Sequence, residues 1–367
     1  MKSFLSVALV LVLSALCVEP AQDKNRRARA EAMSTAARAW LDALPAELVG
    51  RAQLPFDDPS RADWDYTERA RGGVALGELT GEQRTLFDRM LREALSMQGY
   101  LKAHGVLALA EVQGKDPQNF FATVFGEPSG DAPWAWRFEG EGLSLNFTVH
   151  RDDLFTATPM YFGARPAEVP DGLRAGFKLF YEEERLAREL IASFNETQRR
   201  FALHLPDAPP EDNEDESYGV PPSRLHLVPG RTENFEARKG LSPRSMTFNQ
   251  RFLFMRLLNL HVANVHQDLT SPIMNRYRDH DIFDHTFLWV GSEEPGQPFY
   301  YRIHSEKKDF AIEFLNPDGH EARVLWRDFN TDLGGTPLRE HFERATESDG
   351  FFVEEGADTD GAGDEKR

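Results

Sequence analysis

Residues 133–150, PWAWRFEGEGLSLNFTVH, alternate apolar and polar positions with the period of two that a half-buried strand requires. Trp134, Trp136 and Phe138 share one side of the first run, and Leu143, Leu145, Phe147 and Val149 share one side of the second. The pattern predicts an antiparallel hairpin with a tight turn near Glu141-Gly142, its apolar side packed inward under helices. Arg137 and Asn146 then fall on the other side, across from each other. The stretch 298–314, PFYYRIHSEKKDFAIEF, says the same thing again. Tyr301 and Ile303 alternate, as do Phe310, Ile312 and Phe314, and Arg302 and Glu313 take the places of Arg137 and Asn146. Two readings of these polar positions stand. They are exposed cross-strand pairs that fix register, worth about 0.2–1 kcal/mol each, or the two polar faces meet at a junction and line a cleft.

The helical periodicity repeats in the same order. ARAWLDAL at 37–44 and ARELIASF at 187–194 both place apolar residues at helical spacing. In LTGEQRTLFDRMLREAL from Leu79, Thr80 and Gln83 form a capping-box signature ahead of an amphipathic run. Its counterpart, LSPRSMTFNQRFLFMRLLNL from Leu241, offers Ser242 as the cap and Pro243 at the first helical position. Each half then turns to strands. The expected fold is α+β, in two pseudosymmetric halves, each of helices followed by an antiparallel hairpin or meander. The expected boundaries are a signal peptide at 1–17, a first half at 28–175, a second at 176–345, and an acidic tail at 346–367. The Pro- and acid-rich run 206–222 reads as a solvated loop within the second half.

Composition narrows the partners. Sixty Asp and Glu against 42 Lys and Arg give 367 residues a formal net charge of -18. Phosphate binding needs clustered cations, so no nucleic-acid partner is expected. MKSFLSVALVLVLSALC places Lys2 before an apolar run at 4–16, too short to span a bilayer but suited to a secretory signal. Export to a periplasmic or extracellular space is expected, with no stable membrane span after cleavage; a lipid anchor on Cys17 and an uncleaved anchor are the alternatives. Cys17 is the sole cysteine, so cleavage after it leaves no disulfide, thiol nucleophile or thiolate metal site.

The chain also resembles the mostly bacterial family catalogued as domain of unknown function 3500. The resemblance rests on LPFDDPSRADWDY (54–66), LTGEQRTLFDRMLREALSMQGYLKA (79–103), VFGEP (124–128), WAWRFEGEGLSLNFT (134–148), EPGQPFYYRI (294–303) and VLWRDFNTDLGGTPLREHF (324–342). It implies no established activity. It does imply a His pair where this chain carries Glu141-Gly142, and an Asn-His-x-His run ahead of Trp326-Arg327-Asp328. Here the preceding residues read GHEARVL, with His320 retained and Arg323 where the second His is expected. A family chemistry built on those histidines would be largely lost from this member.

Candidate chemistry is therefore drawn from what remains. The leading expectation is a hydrolase-type enzyme with a cleft between the halves, Glu313 or Asp328 serving as general base. Arg137, Asn146, Arg302 and Arg327 would supply polar contacts to the substrate, and Trp64, Tyr66 and Tyr100 are its aromatic candidates. Those aromatics read equally well as core residues with polar tips. The alternative is a protein that binds a small molecule or partner in the same cleft without turnover. Asp279, His280, Asp281, Asp284 and His285 bring divalent-ion ligands together, although their spacing matches no metal motif and suits a capped turn. Any other cofactor stays open. His261 and His266, five apart on a predicted helix, share no face. No nucleophile elbow, phosphate loop or dinucleotide fingerprint occurs.

Overall fold

The computed structural model describes residues 21–129, 132–150, 154–203, 221–222, 224–227, 240–279, 282–307 and 309–335. The signal-like leader, most of the acidic 206–222 run, His280, Asp281 and the tail lie outside the described residues. The first helices are α1 (Ala21–Asp42) and α2 (Ala46–Ala52), followed by short strands β1 (Gln53–Leu54) and β2 (Val74–Ala75). Next come α3 (Gly81–Ala94), α4 (Met97–Val112), β3 (Phe121–Phe125), β4 (Trp134–Gly140), β5 (Leu143–His150), β6 (Leu154–Thr156) and β7 (Met160–Ala164). The remainder runs α5 (Tyr181–Ala192), α6 (Glu196–Ala202), α7 (Phe248–Val262), α8 (Gln267–Asp279), β8 (His285–Gly291), β9 (Phe299–Ser305), β10 (Phe310–Asn316) and β11 (Ala322–Asp328). The fold is thus mixed α and β, with eight α-helices among the described residues and one eleven-stranded sheet.

The sheet order is β1-β3-β4-β5-β7-β11-β10-β9-β8, with β2 on β3 and β6 on β5. Every pairing is antiparallel except the edge pair of β1 and β3. At its middle β7 pairs with β11 from Ala164–Ala322 to Met160–Trp326. Both predicted hairpins are present in the expected register. Arg137 faces Asn146 across β4 and β5, and Arg302 faces Glu313 across β9 and β10. Gly142 closes the first turn with φ +81°, a backbone that side-chain-bearing residues avoid.

The alternating aromatics explain why helices cover one face. Trp134, Trp136, Phe138 and Phe147 join Tyr301, Ile303, Phe314 and Trp326 in a single buried cluster with α1, α3, α5 and α7. Trp134 Nε1 donates to Ser34 Oγ on α1 at 3.0 Å, and Phe87 of α3 meets Phe138 edge-on. Each such ring contributes about 1.5–3 kcal/mol by leaving water. The helices are set by matched devices. Thr80 and Gln83 cap α3 reciprocally, and the Gln83 amide reaches Ala43 O at 2.8 Å. The second cap differs from expectation. Ser242 and Pro243 start only a 3-10 turn, while Thr247 and Gln250 form the capping box of α7, the Gln250 amide donating to Ser193 O at 2.7 Å. Between α3 and α4 the chain crosses the segment between α7 and α8. Ser96 N–H donates to Asn264 O at 3.0 Å and His266 N–H to Ala94 O at 2.8 Å.

The opposite face is not open. Segment 55–73 and residues 224–227 lie over it, and Trp64, Leu225 and Leu227 pack with Tyr161, Leu288, Tyr300 and Leu325 in a second cluster. Among the described residues no helix is long and apolar enough to cross a membrane.

Candidate functional site

The polar pairs that the hairpins present are buried under that cover, which corrects the reading of them as surface pairs. Arg137 is 3% exposed and Glu313 fully enclosed. A guanidinium in such a place needs acceptors, and Arg137 finds them in the covering segment. Its Nε donates to Asn146 Oδ1 at 2.6 Å, and its Nη atoms donate to the backbone oxygens of Ser60, Arg61 and Asp63 at 2.5–3.2 Å. Asn146 donates onward to Pro159 O at 2.8 Å. Glu313 does the reciprocal job with donors. It accepts the backbone N–H groups of His226 and Leu227 at 3.0 and 2.9 Å and the Tyr300 hydroxyl at 2.7 Å, with His226 Nδ1 at 3.1 Å. Burial alone would raise its pKa. Bonds and charge from His226, the Tyr300 hydroxyl and the Arg302 charge outweigh burial and hold the carboxyl below its ordinary range. Arg327 completes the clamp, pairing with Asp332 and donating to Leu227 O at 2.7 Å beneath the Trp64 ring.

The large cavity lies elsewhere, at the end of the sheet around the β4–β5 turn. It holds about 850 Å³. Glu141 and Gly142 of the turn, Val106, Leu109 and Ala110 of α4, and Tyr161 and Gly163 of β7 line it, with residues 66–69 and Arg71, Arg165, Arg224 and residues 321–323 around them. The local backbone fixes this arrangement. Gly142 N–H donates to Tyr66 O at 2.9 Å, and Gly163 N–H donates to Gly142 O at 2.7 Å. A Cβ on Gly163 would sit 3.2 Å from both Gly142 Cα and the Tyr161 hydroxyl, so glycine keeps that corner open. Tyr66 stacks on Tyr161 with ring centroids 3.9 Å apart. Burial pushes the Tyr161 hydroxyl well above its ordinary pKa and raises that of Tyr66 too, against the pull of Arg323.

The lining carries six cations, Arg69, Arg71, Lys115, Arg165, Arg224 and Arg323, against four carboxylates, Glu68, Asp116, Glu141 and Glu321. Lys115 pairs with Glu141, and Arg323 with Glu321. Arg71 meets Glu139 at 3.2 Å, and Arg69 meets Asp63 at 3.1 Å. Asp116 accepts the backbone N–H of Gln118 at 2.8 Å.

Of the residues nominated from sequence, only Tyr66 lines this cavity. Trp64 is core. Tyr100 sits on the α3–α4 surface, its hydroxyl donating to Asp88 at 2.5 Å under the Arg92 guanidinium. Asp328 accepts from the Tyr277 hydroxyl at 3.2 Å and from Thr331 N–H at 3.1 Å, buried beside Trp326. Arg302 is buried on the covered face with its Nε 3.3 Å from His304 Nδ1. The metal candidates part company. Asp284 pairs with Arg244 at 3.1 Å near the surface, whereas His285 is buried against Phe254 and Phe310. Asp279 ends α8, and among the described residues no three His, Cys, Asp or Glu side chains converge as a metal site. His261 is buried on α7 with Nε2 2.7 Å from the Tyr301 hydroxyl, and burial pulls its pKa down to about 3.

The cavity's six cations were missed because they are scattered over five separate stretches of chain, only Arg69 and Arg71 sharing one. The available signal was the pair of family departures, since both Glu141-Gly142 and Arg323 line this one cavity. No curated protein and no solved structure matches the chain. The family model that does match, described as a protein of unknown function (DUF3500), covers residues 26–335, and the chain belongs to that family.

Proposed function

We propose that this chain is an exported protein that binds a small organic molecule in the cavity at the Glu141-Gly142 turn, without covalent chemistry of its own. The observation that carries the reading is the contrast between the cavity and the covered face. The cavity's volume of about 850 Å³ suits a small-molecule site. The nominated bases, Glu313 and Asp328, lie outside its lining with their oxygens already hydrogen-bonded. Native mass spectrometry of the protein purified from its exported location tests this. The expected result is a co-purifying organic mass that Ala110→Trp, which fills the cavity from α4, removes. Retention of that mass by the filled variant would sink the assignment.

The same proposal treats the chain as two related halves meeting at the β7–β11 pair. Its support is the mirrored strand order, the matched Gln83 and Gln250 caps, and the reciprocal bonds at Ser96 and His266. Most of the cavity's lining comes from the first half, with Arg224 and residues 321–323 from the second. Export rests on the leader pattern alone, and N-terminal sequencing of the mature chain checks it.

A hydrolytic reading retains one specific observation. His226, a third exposed, holds its Nδ1 3.1 Å from the enclosed Glu313 carboxylate. A carboxylate in that position orients an imidazole so that Nε2 can take a proton. Turnover of any substrate that survives His226→Ala would remove this second reading.

A further inference from the structure

Resting on the assignment of the cavity as the binding site, we infer that its ligand is an organic oxyanion, bearing carboxylate or phosphate groups, held by Arg165 and Arg224. The charge balance of the lining points there. In a chain of net charge -18, a surface drawn at random would be acidic, yet here six cations face four carboxylates. Four of the six are neutralised within the protein, Lys115 by Glu141, Arg323 by Glu321, and Arg71 and Arg69 by Glu139 and Asp63 outside the lining. Of the two lining carboxylates left, Glu68 lies 3.8 Å from Lys115 and Asp116 accepts the Gln118 N–H, and neither pairs with Arg165 or Arg224. Arg165 and Arg224 are exposed and pair with no carboxylate among the described residues. A guanidinium offers a planar fork of donors that matches a carboxylate or phosphate edge, which a lone ammonium does not.

Two further features suit an anion with an organic body. The walls between the charges are apolar, from Val106, Leu109 and Ala110, and Tyr66 forms one side with its stacked partner. Three carbonyls of the last turn of α4, which would repel an anion, are taken up by donors of the chain itself. Lys115 N–H donates to Ala110 O at 2.9 Å, Gly114 N–H to Glu111 O at 2.9 Å, and the Gln113 amide to Leu109 O at 3.1 Å.

Arg224 reaches the cavity only because its segment is fastened to the sheet. Glu313 accepts the N–H groups of His226 and Leu227, two and three residues beyond Arg224, and Arg327 holds Leu227 O. These two are positioning residues for Arg224, and Glu313→Gln should weaken anion binding while adding little to the loss already caused by Arg224→Ala.

The test is calorimetric titration of the mature chain at low ionic strength with citrate and inorganic phosphate as probes, beside a panel of neutral monosaccharides. Citrate should bind and phosphate more weakly, with Arg165→Ala and Arg224→Ala each weakening citrate about tenfold, the scale of one charge-assisted contact. Both arginines are exposed, so these variants should fold, and their melting curves check that. Equal citrate binding by wild type and the Arg165→Ala/Arg224→Ala double variant overturns the inference. Binding of a neutral sugar alone, abolished by Ala110→Trp, overturns the anion class but leaves the cavity as the site. No binding by any probe, joined to the absence of a co-purifying mass, removes both.

Discussion

At the scale of single residues, the buried ionisable groups set how the protein responds to acid. Glu313 was legible as a position, because a period of two places it opposite Arg302. Its role was not, since the donors it serves come from residues 226–227, nearly ninety positions away. Its folded pKa lies below the unfolded value, so its contribution is complete above that unfolded value and is lost as pH falls through the folded one. In Glu313→Gln one amide N–H faces a backbone N–H, and the expected loss is about 1–3 kcal/mol at neutral pH. Urea denaturation at pH 7 and pH 4 should show that gap shrinking in acid. A constant gap would mean the carboxylate's charge is immaterial. His261 acts in the same direction over a wider window. It stays neutral in the fold down to about pH 3, whereas the unfolded chain protonates it near 6.5. Its presence therefore costs stability as pH falls from 6.5 towards 3, by up to about 1.4 kcal/mol per pH unit. His261→Gln should flatten that limb in a pH series of melts, and an unchanged slope would place the acid sensitivity elsewhere.

At the scale of elements, strands and helices were readable where one residue type repeats at a fixed period. The hairpins came through because large aromatics alternate against polar residues. The start of α7 did not, because Ser242-Pro243 imitates a helix start while the true cap, Thr247 with Gln250, follows five residues later. The two capping glutamines carry more than a cap, since each also ties its helix to the end of an earlier one. Gln83→Ala and Gln250→Ala should each lose a capping-box bond and this interhelical bond, about 1–2 kcal/mol together. Denaturation midpoints measured side by side would show whether the two losses match. If they differ by several-fold, the two devices are not equivalent in energy, whatever their likeness in geometry.

At the scale of the molecule, what sequence could not convey is how irregular segments finish the structure. Residues 55–73 and 224–227 carry no periodic pattern, yet they bury the polar side of the sheet and bring Tyr66 and Arg224 to one cavity. The connections between the two ends of the chain make separate unfolding of either end costly. The β7–β11 pair runs through the middle of one continuous sheet. On the helical side, Arg29 of α1 pairs with Glu93 of α3 and lies 3.3 Å from Asp268 of α8. Leu95 and Val265 meet in a bridge flanked by reciprocal backbone bonds. Opening the sheet on either side of the β7–β11 pair would strip β7 or β11 of its ladder and expose buried apolar surface, an uncompensated loss. Scanning calorimetry of the whole chain should accordingly give one endotherm, with an enthalpy of about 0.7 kcal/mol per ordered residue near 60 °C. Two resolved transitions would show instead that the two sides of the β7–β11 pair each hold a core of their own, and that the pair parts before either unfolds.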